Sequence, residues 1–401
     1  MQRKVAPSGT PVHMNDLTHW ATNHLSRRDC RSSLIESLQT KFGDSGFYLF
    51  NTGRSAMSFL FSCLREQCNE KKRTEIVIPS YTCYSVPSSV IKAGCTVRVC
   101  DIDVNTLSYN IEQLRSIDYS NVLALVTANL YGIPNDLHSI ESIAKDNGVF
   151  LVDDAAQSMG AKIGDRYSGF FGDAGILSLD KGKNITSIQG GILALHSEQL
   201  NDIVSRNYSR LNSTDFFSDS KEIIKLLVYA LFLRPSLYWI PDSLPFLDLG
   251  STIYTEDYPI LKYSNALCGI AASQLRRIDS INRKRSENAQ RYISYLSDID
   301  NMRTITIDDM LSPVYLRFPI LSLDRQTREL TIKTLNEAGF GATSSYPSAI
   351  SEIDEIKDRL LLSRDCCLNG DYVADRIITL PTHEYVTPRD ILEISNILHK
   401  I

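Results

Sequence analysis

Residues 122–154 read VLALVTANLYGIPNDLHSIESIAKDNGVFLVDD and contain a complete strand, helix and second strand. The runs VLALV and VFLVDD are short and apolar, which is typical of strands buried on both faces. Between them Leu137, Ile140 and Ala144 fall on one face of a helix, and Gly148 ends it. Two apolar strands joined by a helix of this length predict a crossover in a parallel sheet.

The same alternation extends on both sides of this unit. Strand-like runs at 75–80 and 96–103 precede it, separated by a segment with helical spacing. The runs at 174–180 and 190–196 follow it, and only KGKNITSIQ joins them, which is too short for a helical crossover. We therefore expect an α/β fold with a mostly parallel, seven-stranded type of central sheet, flanked by helices, whose last two strands are antiparallel neighbours.

Composition excludes several classes of protein. The 401 residues carry a formal net charge of −5, so the chain lacks the basic field that binding to nucleic acid requires. Nine cysteines show no paired CxxC spacing, and we expect reduced thiols and no metal site. The first twenty residues have no apolar segment typical of a signal peptide, which favours a cytoplasmic location.

The changes of pattern along the chain predict its domain organisation. An N-terminal segment, 1–45, precedes a large α/β domain, 46–265. One long amphipathic helix, 266–295, connects it to a smaller C-terminal α+β domain, 296–401. Within the large domain, residues 214–257 form an insertion rich in Leu, Phe, Tyr and Trp.

The insertion has two interpretations. Its apolar run is interrupted by Lys225, Arg234 and Pro235, so it makes a poor membrane span. The favoured interpretation is that it covers the active site or packs in a dimer. The alternative is a peripheral contact with a membrane surface.

Two short motifs lie where a parallel sheet places its ligand, after the ends of strands. NTGRSAM, 51–57, is a turn leading into a helix, and Gly53 would let an anion approach the free N–H groups of that helix. VDDAAQS, 152–158, ends a strand with acids that could pair with a protonated ring nitrogen. Each motif alone is also explained structurally, the first as an ordinary turn and the second as a helix cap.

Two further stretches could carry chemistry. SLDKGKNITSIQGG, 178–191, places Lys181 and Lys183 between apolar strands, although a solvated loop lysine is the default for either residue. PSYTCYS, 79–85, supplies hydroxyls and aromatic rings after another strand. The loop ATSSYPSAI, 342–350, could contribute polar groups or be only a polar loop.

In this order and spacing the motifs resemble the DegT/StrS family of sugar aminotransferases, pyridoxal-phosphate enzymes with the type I, aspartate-aminotransferase-like fold. The likeness runs from Asn51 to Leu296. The family's motif of two acids, two small residues and Gln or His is met at 153–157. The resemblance implies that Asp154 pairs with the pyridine nitrogen and that Gln157 lies near the ring hydroxyl of the cofactor.

The resemblance also chooses between the two lysines. In the family a serine precedes the cofactor lysine by five positions, which implies that Lys183 forms the Schiff base and Ser178 contacts the phosphate. The phosphate would also be bound by the turn of Gly53, Arg54 and Ser55.

The chain departs from the family pattern at several positions. Arg54 replaces a threonine, and Asn129 replaces a histidine. Cys83 replaces the aromatic residue that stacks on the cofactor ring, a role that Tyr84 or Tyr81 could take over. Ile260 stands where an asparagine of the partner subunit is expected, and Lys262 or Tyr263 could substitute for it.

The resemblance implies an aminotransferase that moves an amino group, from glutamate, to a keto-sugar. The acceptor would be nucleotide-linked, and the pathway would make amino sugars or surface polysaccharide. Relatives that dehydrate the sugar carry histidine in place of Lys183, so the retained lysine favours amino transfer. A homodimer is implied as well. The alternatives are a free or lipid-linked keto-sugar as acceptor, or a degenerate protein that binds the cofactor and acts as a regulator or scaffold.

Overall fold

The architecture comes from a computed structural model of the chain, which describes residues 3–25, 29–68, 73–242, 253–299, 301–362 and 367–401. Residues 243–252 of the expected insertion lie outside the described residues. The strands are β1 Gly46–Phe50, β2 Glu75–Pro79, β3 Thr96–Cys100, β4 Val122–Val126, β5 Phe150–Asp154, β6 Lys162–Ile163, β7 Arg166–Tyr167, β8 Ala174–Ser178, β9 Gly191–Leu195, β10 Met302–Thr304, β11 Leu311–Ser312, β12 Phe318–Ser322, β13 Leu360–Leu361 and β14 Ile377–Leu380. The helices are α1 Met14–Leu25, α2 Cys30–Phe42, α3 Gly53–Gln67, α4 Ser85–Lys92, α5 Ile111–Arg115, α6 Leu137–Asp146, α7 Asn201–Ser209, α8 Phe216–Phe232, α9 Trp239–Asp242, α10 Asn265–Leu275, α11 Ile278–Tyr295, α12 Arg325–Glu337, α13 Leu368–Arg376 and α14 Pro388–Leu398.

The central sheet confirms the expected α/β fold class. Its strand order is β1-β9-β8-β5-β4-β2-β3-β13, and the neighbours from β8 to β13 run parallel. The unit β4–α6–β5 is the crossover that residues 122–154 predict, with Leu137, Ile140 and Ala144 buried. As expected, β8 and β9 pair antiparallel, with Ser178 opposite Gly191.

A glycine lets the start of α3 approach this sheet closely. A methyl group built on Gly191 would overlap the carbonyl group of Thr52, which caps α3. No larger residue fits there without moving the backbone. The N-terminus of α3 therefore lies directly against the start of β9, next to the end of β8.

The edge of the central sheet holds a strand that the sequence does not predict. Leu360 and Leu361 pair parallel with Val97 and Arg98 of β3, so the C-terminal part of the chain completes the sheet of the large domain. Close by, the carboxylate of Asp101 accepts hydrogen bonds from the first N–H groups of α13.

The expectation of one long connecting helix over 266–295 is wrong. The helix stops at Leu275 and restarts at Ile278, with Arg276 and Arg277 at the break. The first part, α10, is buried along its whole length and packs on α1 and α2, which makes it a core element of the large domain. The second part, α11, is amphipathic and carries Tyr292 against Phe318 of the small domain, with ring centroids 5.1 Å apart.

The N-terminal segment contacts both the insertion and the C-terminal part of the chain. The Lys4 N–H donates to the Pro235 carbonyl at 2.9 Å, and Val5 bridges Phe340 of the small domain. The Thr10 N–H donates to the hydroxyl of Tyr229 on α8 at 2.9 Å. Residues 3–13 thus connect parts of the chain that are far apart in sequence.

The insertion folds mainly as α8, and its two sides differ. One side buries Leu226, while Ile224, Leu227 and Val228 are exposed on the other. None of the described helices has the length and the apolar character needed to cross a bilayer. The exposed stripe leaves both a dimer contact and a membrane-surface contact open as interpretations.

Candidate active site

The two neighbouring acids at the end of β5 have different surroundings. The carboxylate of Asp153 is fully buried and accepts three hydrogen bonds, from the Thr127 hydroxyl, the Asn129 amide and the Gly169 N–H, at 2.6 to 2.9 Å. The carboxylate of Asp154 receives one hydrogen bond from the described residues, from the Ala156 N–H at 2.9 Å. The carboxylate of Asp153 is therefore occupied by structural hydrogen bonds, whereas that of Asp154 can still accept hydrogen bonds from another group.

The environment of Asp154 changes its acidity. Burial raises the pKa of its carboxyl from the usual 3.8 to about 6. The Ala156 N–H and the nearby ammonium group of Lys183 oppose that rise in pKa, and the charge of Asp153 adds to it. A buried carboxyl with a pKa raised by desolvation marks a place where a cationic partner would be bound strongly.

Asn129, at the position where the family has histidine, holds the two acids in place. Its side-chain amide donates to the carboxylate of Asp153 at 2.7 Å and to the backbone carbonyl of Asp154 at 2.8 Å. Its side-chain oxygen accepts from the Asn135 N–H at 2.8 Å. This departure from the family pattern thus has a structural role, since it fixes the backbone that carries Asp154.

The two lysines between β8 and β9 differ in position. Lys181 is exposed, whereas Lys183 is half-buried and near enough to Asp154 to influence its pKa. The charge of Lys183 also acts on the carboxyl of Asp180, which lies in the chain between β8 and these lysines. The charge of Lys183 therefore acts on both Asp154 and Asp180, and the roles of Lys183 and Asp154 stay predictions.

The loop that carries Lys183 is held by residues that the sequence does not identify. The Thr10 hydroxyl lies 2.8 Å from the Lys183 carbonyl and 3.0 Å from the Asn184 carbonyl, and it can donate to either. Arg285, also fully buried, donates to the Thr10 hydroxyl at 3.0 Å and to the Gly9 carbonyl at 2.8 Å. These contacts join positions far apart in the chain, so no local pattern predicts them.

The N-terminus of α3 faces the end of β8. A methyl group on Gly53 would lie 3.5 Å from the Ser178 β-carbon, so the first turn of the helix and the Ser178 hydroxyl border the same space. Ser55 differs from the expectation: its N–H bonds to the Thr52 hydroxyl at 3.0 Å, and its own hydroxyl bonds to the Pro259 carbonyl at 3.0 Å. The turn therefore offers the N–H groups of Gly53 and Arg54, which have no partner within the helix.

The side chain of Arg54 lies at this end of α3. Its guanidinium sits over the ring of Tyr258, 5.1 Å from the centroid, and Nη1 reaches the Thr255 carbonyl at 3.5 Å. The positive charge of Arg54 also acts on the carboxyl of Asp180. The helix N-terminus and a guanidinium together make this corner attractive to an anion.

Gln157 connects the end of β5 to the small domain. Its side-chain oxygen accepts from the Tyr131 N–H at 3.0 Å, and its amide donates to the Tyr346 hydroxyl at 2.5 Å. Tyr346 belongs to the loop 342–350, for which the sequence leaves open a role at the site. The structure places this loop against Gln157.

The aromatic residues near Cys83 are committed to other partners. The Tyr84 hydroxyl bonds to the Ser348 hydroxyl at 2.6 Å. Tyr81 is fully buried and packs edge-on against Tyr346, with ring centroids 5.5 Å apart. The replacement of the stacking ring by either tyrosine therefore stays a prediction.

Ile260 and its suggested substitutes are engaged within the chain itself. Ile260 packs on the core of the large domain. The Lys262 ammonium donates to the Ser209 carbonyl at 3.1 Å, and the Tyr263 hydroxyl donates to the Gln189 carbonyl at 3.1 Å. A contact of these side chains with a partner subunit stays untested.

Comparison with known proteins identifies a family profile, a relative in sequence and similar solved structures. The sequence matches the profile of the DegT/DnrJ/EryC1/StrS aminotransferase family over residues 39–219 and 260–399. GDP-4-keto-6-deoxy-D-mannose 3-dehydratase of Escherichia coli O55:H7 is 28% identical over 165 residues, which are 41% of this chain and 42% of that enzyme. The match thus spans less than half of the length of that relative.

Solved structures share the fold. Helicobacter pylori PseC, an aminotransferase involved in the biosynthesis of pseudoaminic acid, superposes with a TM-score of 0.80 over 99% of each chain at 16% identity. The E. coli GDP-4-keto-6-deoxy-D-mannose-3-dehydratase, solved with hydrated PLP, superposes with a TM-score of 0.79 over 99% of this chain and 100% of that one at 17% identity. Since the family profile covers most of the chain and the fold agrees, the protein belongs to the DegT/DnrJ/EryC1/StrS aminotransferase family.

Proposed function

We propose that the protein is a pyridoxal-phosphate-dependent aminotransferase that moves an amino group from glutamate to a nucleotide-linked keto-sugar. The observation that carries this proposal is the incompletely bonded carboxylate of Asp154 at the end of β5, on which the charge of Lys183 acts from the loop after the adjacent strand β8. A nucleophilic amine and a buried acid in this position suit the chemistry of the family.

The residues present fit pyridoxal phosphate at three points. Asp154 can accept from a protonated ring nitrogen, because one N–H group is its only donor among the described residues. Lys183, which is half-buried, can hold the aldehyde carbon through its amine. Gly53, Arg54 and Ser178 border a space suited to the phosphate.

When bound, pyridoxal phosphate supplies an electron sink for the carbon from which a proton is removed. Asp154 would keep the ring nitrogen protonated through a charge-assisted hydrogen bond. Lys183 would move the proton between the cofactor carbon and the substrate carbon as general base and acid. Gln157, between Asp154 and Tyr346, would orient the ring hydroxyl.

The identity of the acceptor is proposed from the relatives. The dehydratase acts by its name on a GDP-linked keto-sugar, and PseC takes part in making an amino sugar. Lys183 stands where the dehydrating branch has histidine, which favours amino transfer over dehydration. A role in amino-sugar or surface-polysaccharide synthesis follows, and the eight described cysteines, all unbridged, support a cytoplasmic setting.

The first test is the visible absorption of the protein loaded with pyridoxal phosphate, before and after glutamate is added. We expect the band of the lysine-bound cofactor to bleach and one equivalent of 2-oxoglutarate to form. Nucleotide-linked keto-sugars should then restore the band, and the matching free keto-sugars should not. A loaded protein that gives no half-reaction with glutamate, glutamine or aspartate contradicts the proposal.

We also propose a homodimer, in keeping with the resemblance and with the exposed apolar stripe on α8 at Ile224, Leu227 and Val228. Light scattering coupled to size exclusion should give twice the mass of the chain at micromolar concentration. Leu227→Glu should shift that mass toward the monomer if the stripe forms the contact. A monomeric wild type contradicts the dimer, and a dimer unchanged by the substitution places the contact elsewhere.

A further inference from the structure

The loop that carries Lys183 is contacted by two hydroxyl groups of the N-terminal segment. The Ser8 hydroxyl donates to the Gly182 carbonyl at 2.8 Å. The Thr10 hydroxyl lies 2.8 Å from the Lys183 carbonyl and 3.0 Å from the Asn184 carbonyl. Three successive carbonyls thus face side chains that are 173 or 174 positions away in sequence. We call residues 8–10 the N-terminal clamp.

The clamp acts on a turn that is already closed from within. The Lys183 N–H donates to the Asp180 carbonyl at 3.2 Å, and Gly182 inside this turn has a φ of +81°. A β-carbon on Gly182 would lie 3.1 Å from the Ser8 hydroxyl, so the clamp approaches the turn closely. Because the peptide units on both sides of Lys183 are bonded, the direction in which its side chain leaves the backbone is fixed.

The part of the loop after the lysine is held by other elements. The Asn184 amide donates to the side-chain oxygen of Asn282 on α11 at 3.0 Å. The Thr186 N–H donates to the side-chain oxygen of Gln274 on α10 at 2.7 Å. Among the described residues, it is the clamp that bonds to the carbonyl of Lys183 itself.

A buried charge holds the clamp on one side. Arg285 of α11 is fully buried and donates to the Gly9 carbonyl at 2.8 Å and to the Thr10 hydroxyl at 3.0 Å. Burial lowers the pKa of its guanidinium to about 10, so the group stays charged at neutral pH. A hydroxyl that accepts from a cation becomes a stronger donor. The bond from Thr10 to the carbonyl of Lys183 is therefore strengthened by Arg285.

The insertion holds the clamp on another side. The Thr10 N–H donates to the hydroxyl of Tyr229 on α8 at 2.9 Å. A β-carbon on Gly9 would lie 2.5 Å from a methyl group of Leu233, the residue after α8. The clamp therefore connects the insertion to the loop of Lys183 by direct contacts.

We infer that the N-terminal clamp positions the amine of Lys183 for its bond with the cofactor, with Thr10 as the principal positioning residue. This inference rests on the proposed function. A lysine side chain has many rotamers, and a moving backbone would multiply the positions that its amine samples. Fixing the backbone lowers the entropy that is lost when the amine forms a bond. The clamp acts through the lysine and does not itself touch the cofactor.

The first arm of the test measures hydrogen exchange in the protein without cofactor. Thr10→Val removes the hydroxyl and keeps the shape of the side chain, and Thr10→Ser keeps the hydroxyl. Thr331→Val is the matched control, because Thr331 is also buried and donates to a backbone carbonyl, that of Thr327 on α12, at 2.7 Å.

In Thr10→Val we expect peptides covering residues 180–187 to exchange about 3- to 10-fold faster than in wild type, as for loss of one hydrogen bond. Thr10→Ser and Thr331→Val should match wild type in this segment. Equal exchange in Thr10→Val and wild type overturns the inference, whatever the cofactor does.

The second arm separates the position of the lysine from the shape of the pocket. Pyridoxal phosphate can bond to the amine, whereas pyridoxine phosphate has an alcohol in place of the aldehyde and cannot. Calorimetry should show pyridoxal phosphate binding about 3- to 10-fold more weakly to Thr10→Val than to wild type. Pyridoxine phosphate should bind equally to both, and Thr10→Ser should restore the affinity for pyridoxal phosphate.

The outcomes distinguish this inference from the proposed function. Equal weakening of both ligands overturns the inference, because the hydroxyl would then support the whole pocket. A wild type that forms the lysine-bound band, with unchanged affinity in Thr10→Val, also overturns it and leaves the proposed function intact. A wild type without the band contradicts the proposed function, and the exchange arm then decides on the clamp.

Thermal unfolding shows whether each variant is folded. If Thr10→Val is not, Ser8→Ala replaces it in both arms, since it removes the bond to the Gly182 carbonyl at the edge of the clamp. The same direction of change is expected for Ser8→Ala, and its absence overturns the inference.

Discussion

Lys183→Ala is expected to lower the rate of the half-reaction with glutamate by at least about 10³-fold. In the proposed function, the substitution removes the amine that would hold the cofactor and move the proton. The fold should survive it, because the Thr10 hydroxyl bonds to the backbone carbonyl of Lys183 and not to its side chain. The measurement is the single-turnover bleaching rate of the loaded protein, with the thermal midpoint recorded alongside.

Lys181→Ala is the matched control for this prediction. Lys181 is two positions away on the same loop and exposed, so its removal should change the rate by less than a factor of about three. The reverse result, a loss of reaction with Lys181→Ala and none with Lys183→Ala, would contradict the assignment of the lysine. Equal losses in both variants would point to damage of the loop and not to chemistry.

Asp154→Asn should lower the rate of the half-reaction with glutamate. It should also raise the free energy of unfolding of the cofactor-free protein. A neutral amide cannot keep a ring nitrogen protonated, and loss of such an electrostatic contact lowers rates by roughly 10²- to 10³-fold. In the protein without cofactor, the same carboxylate destabilises the folded state when it is ionised, because burial raises its pKa to about 6. The rise from 3.8 corresponds to a cost of about 3 kcal/mol when the group is ionised, as an order of magnitude.

The sign of this effect gives a dependence on pH. A raised pKa means that the folded state holds its proton more firmly than the unfolded state, so wild type loses stability as pH rises from about 4 to about 6. The cofactor-free Asp154→Asn variant should be more stable than wild type at pH 8 and nearly equal to it at pH 4. Urea unfolding at the two values measures the difference, and a variant less stable than wild type at pH 8 would contradict the argument.

Asp153→Asn is the control that separates structure from chemistry. Its carboxylate accepts three buried hydrogen bonds, and an amide would turn a donor toward at least one of those donors. We expect a loss of about 2 to 4 kcal/mol in the free energy of unfolding at pH 4. Burial raises the pKa of the Asp153 carboxyl as well, so the loss should be smaller at pH 8. If instead Asp153→Asn is stable and inactive while Asp154→Asn is active, the roles of the two acids are reversed.

The parallel sheet was predictable because its signals are local. Runs such as VLALV and VFLVDD are apolar throughout, and the helix at Leu137 has a clear stripe and a glycine stop. The break at Arg276 and Arg277 was not predictable in this way. The apolar spacing continues across it, and the burial of α10 against α1 and α2 depends on parts of the chain that are distant in sequence.

The residues of the candidate site also fall into two groups, those with a local sequence motif and those brought in by distant parts of the chain. Asp154 and Ser178 end β5 and β8, and Lys183 follows Ser178 by five positions, so a local motif identifies them, while their roles stay predictions. Thr10 reaches the loop of Lys183 from the N-terminal segment, and only the folded topology brings it there. The occupied groups of Ser55 could not be foreseen either, because Pro259, which accepts from its hydroxyl, lies far along the chain.

The pairing of Leu360 and Leu361 with β3 has a consequence for folding during synthesis of the chain. As the chain leaves the ribosome, the other strands of the central sheet are available long before β13 is made. Until then β3 is an open edge, with backbone groups that can pair with another chain. Nascent protein truncated before Leu360 should therefore recruit chaperones and form intermolecular sheet. Pairing of the last two residues to join the sheet covers the exposed edge of β3 and removes this route to aggregation.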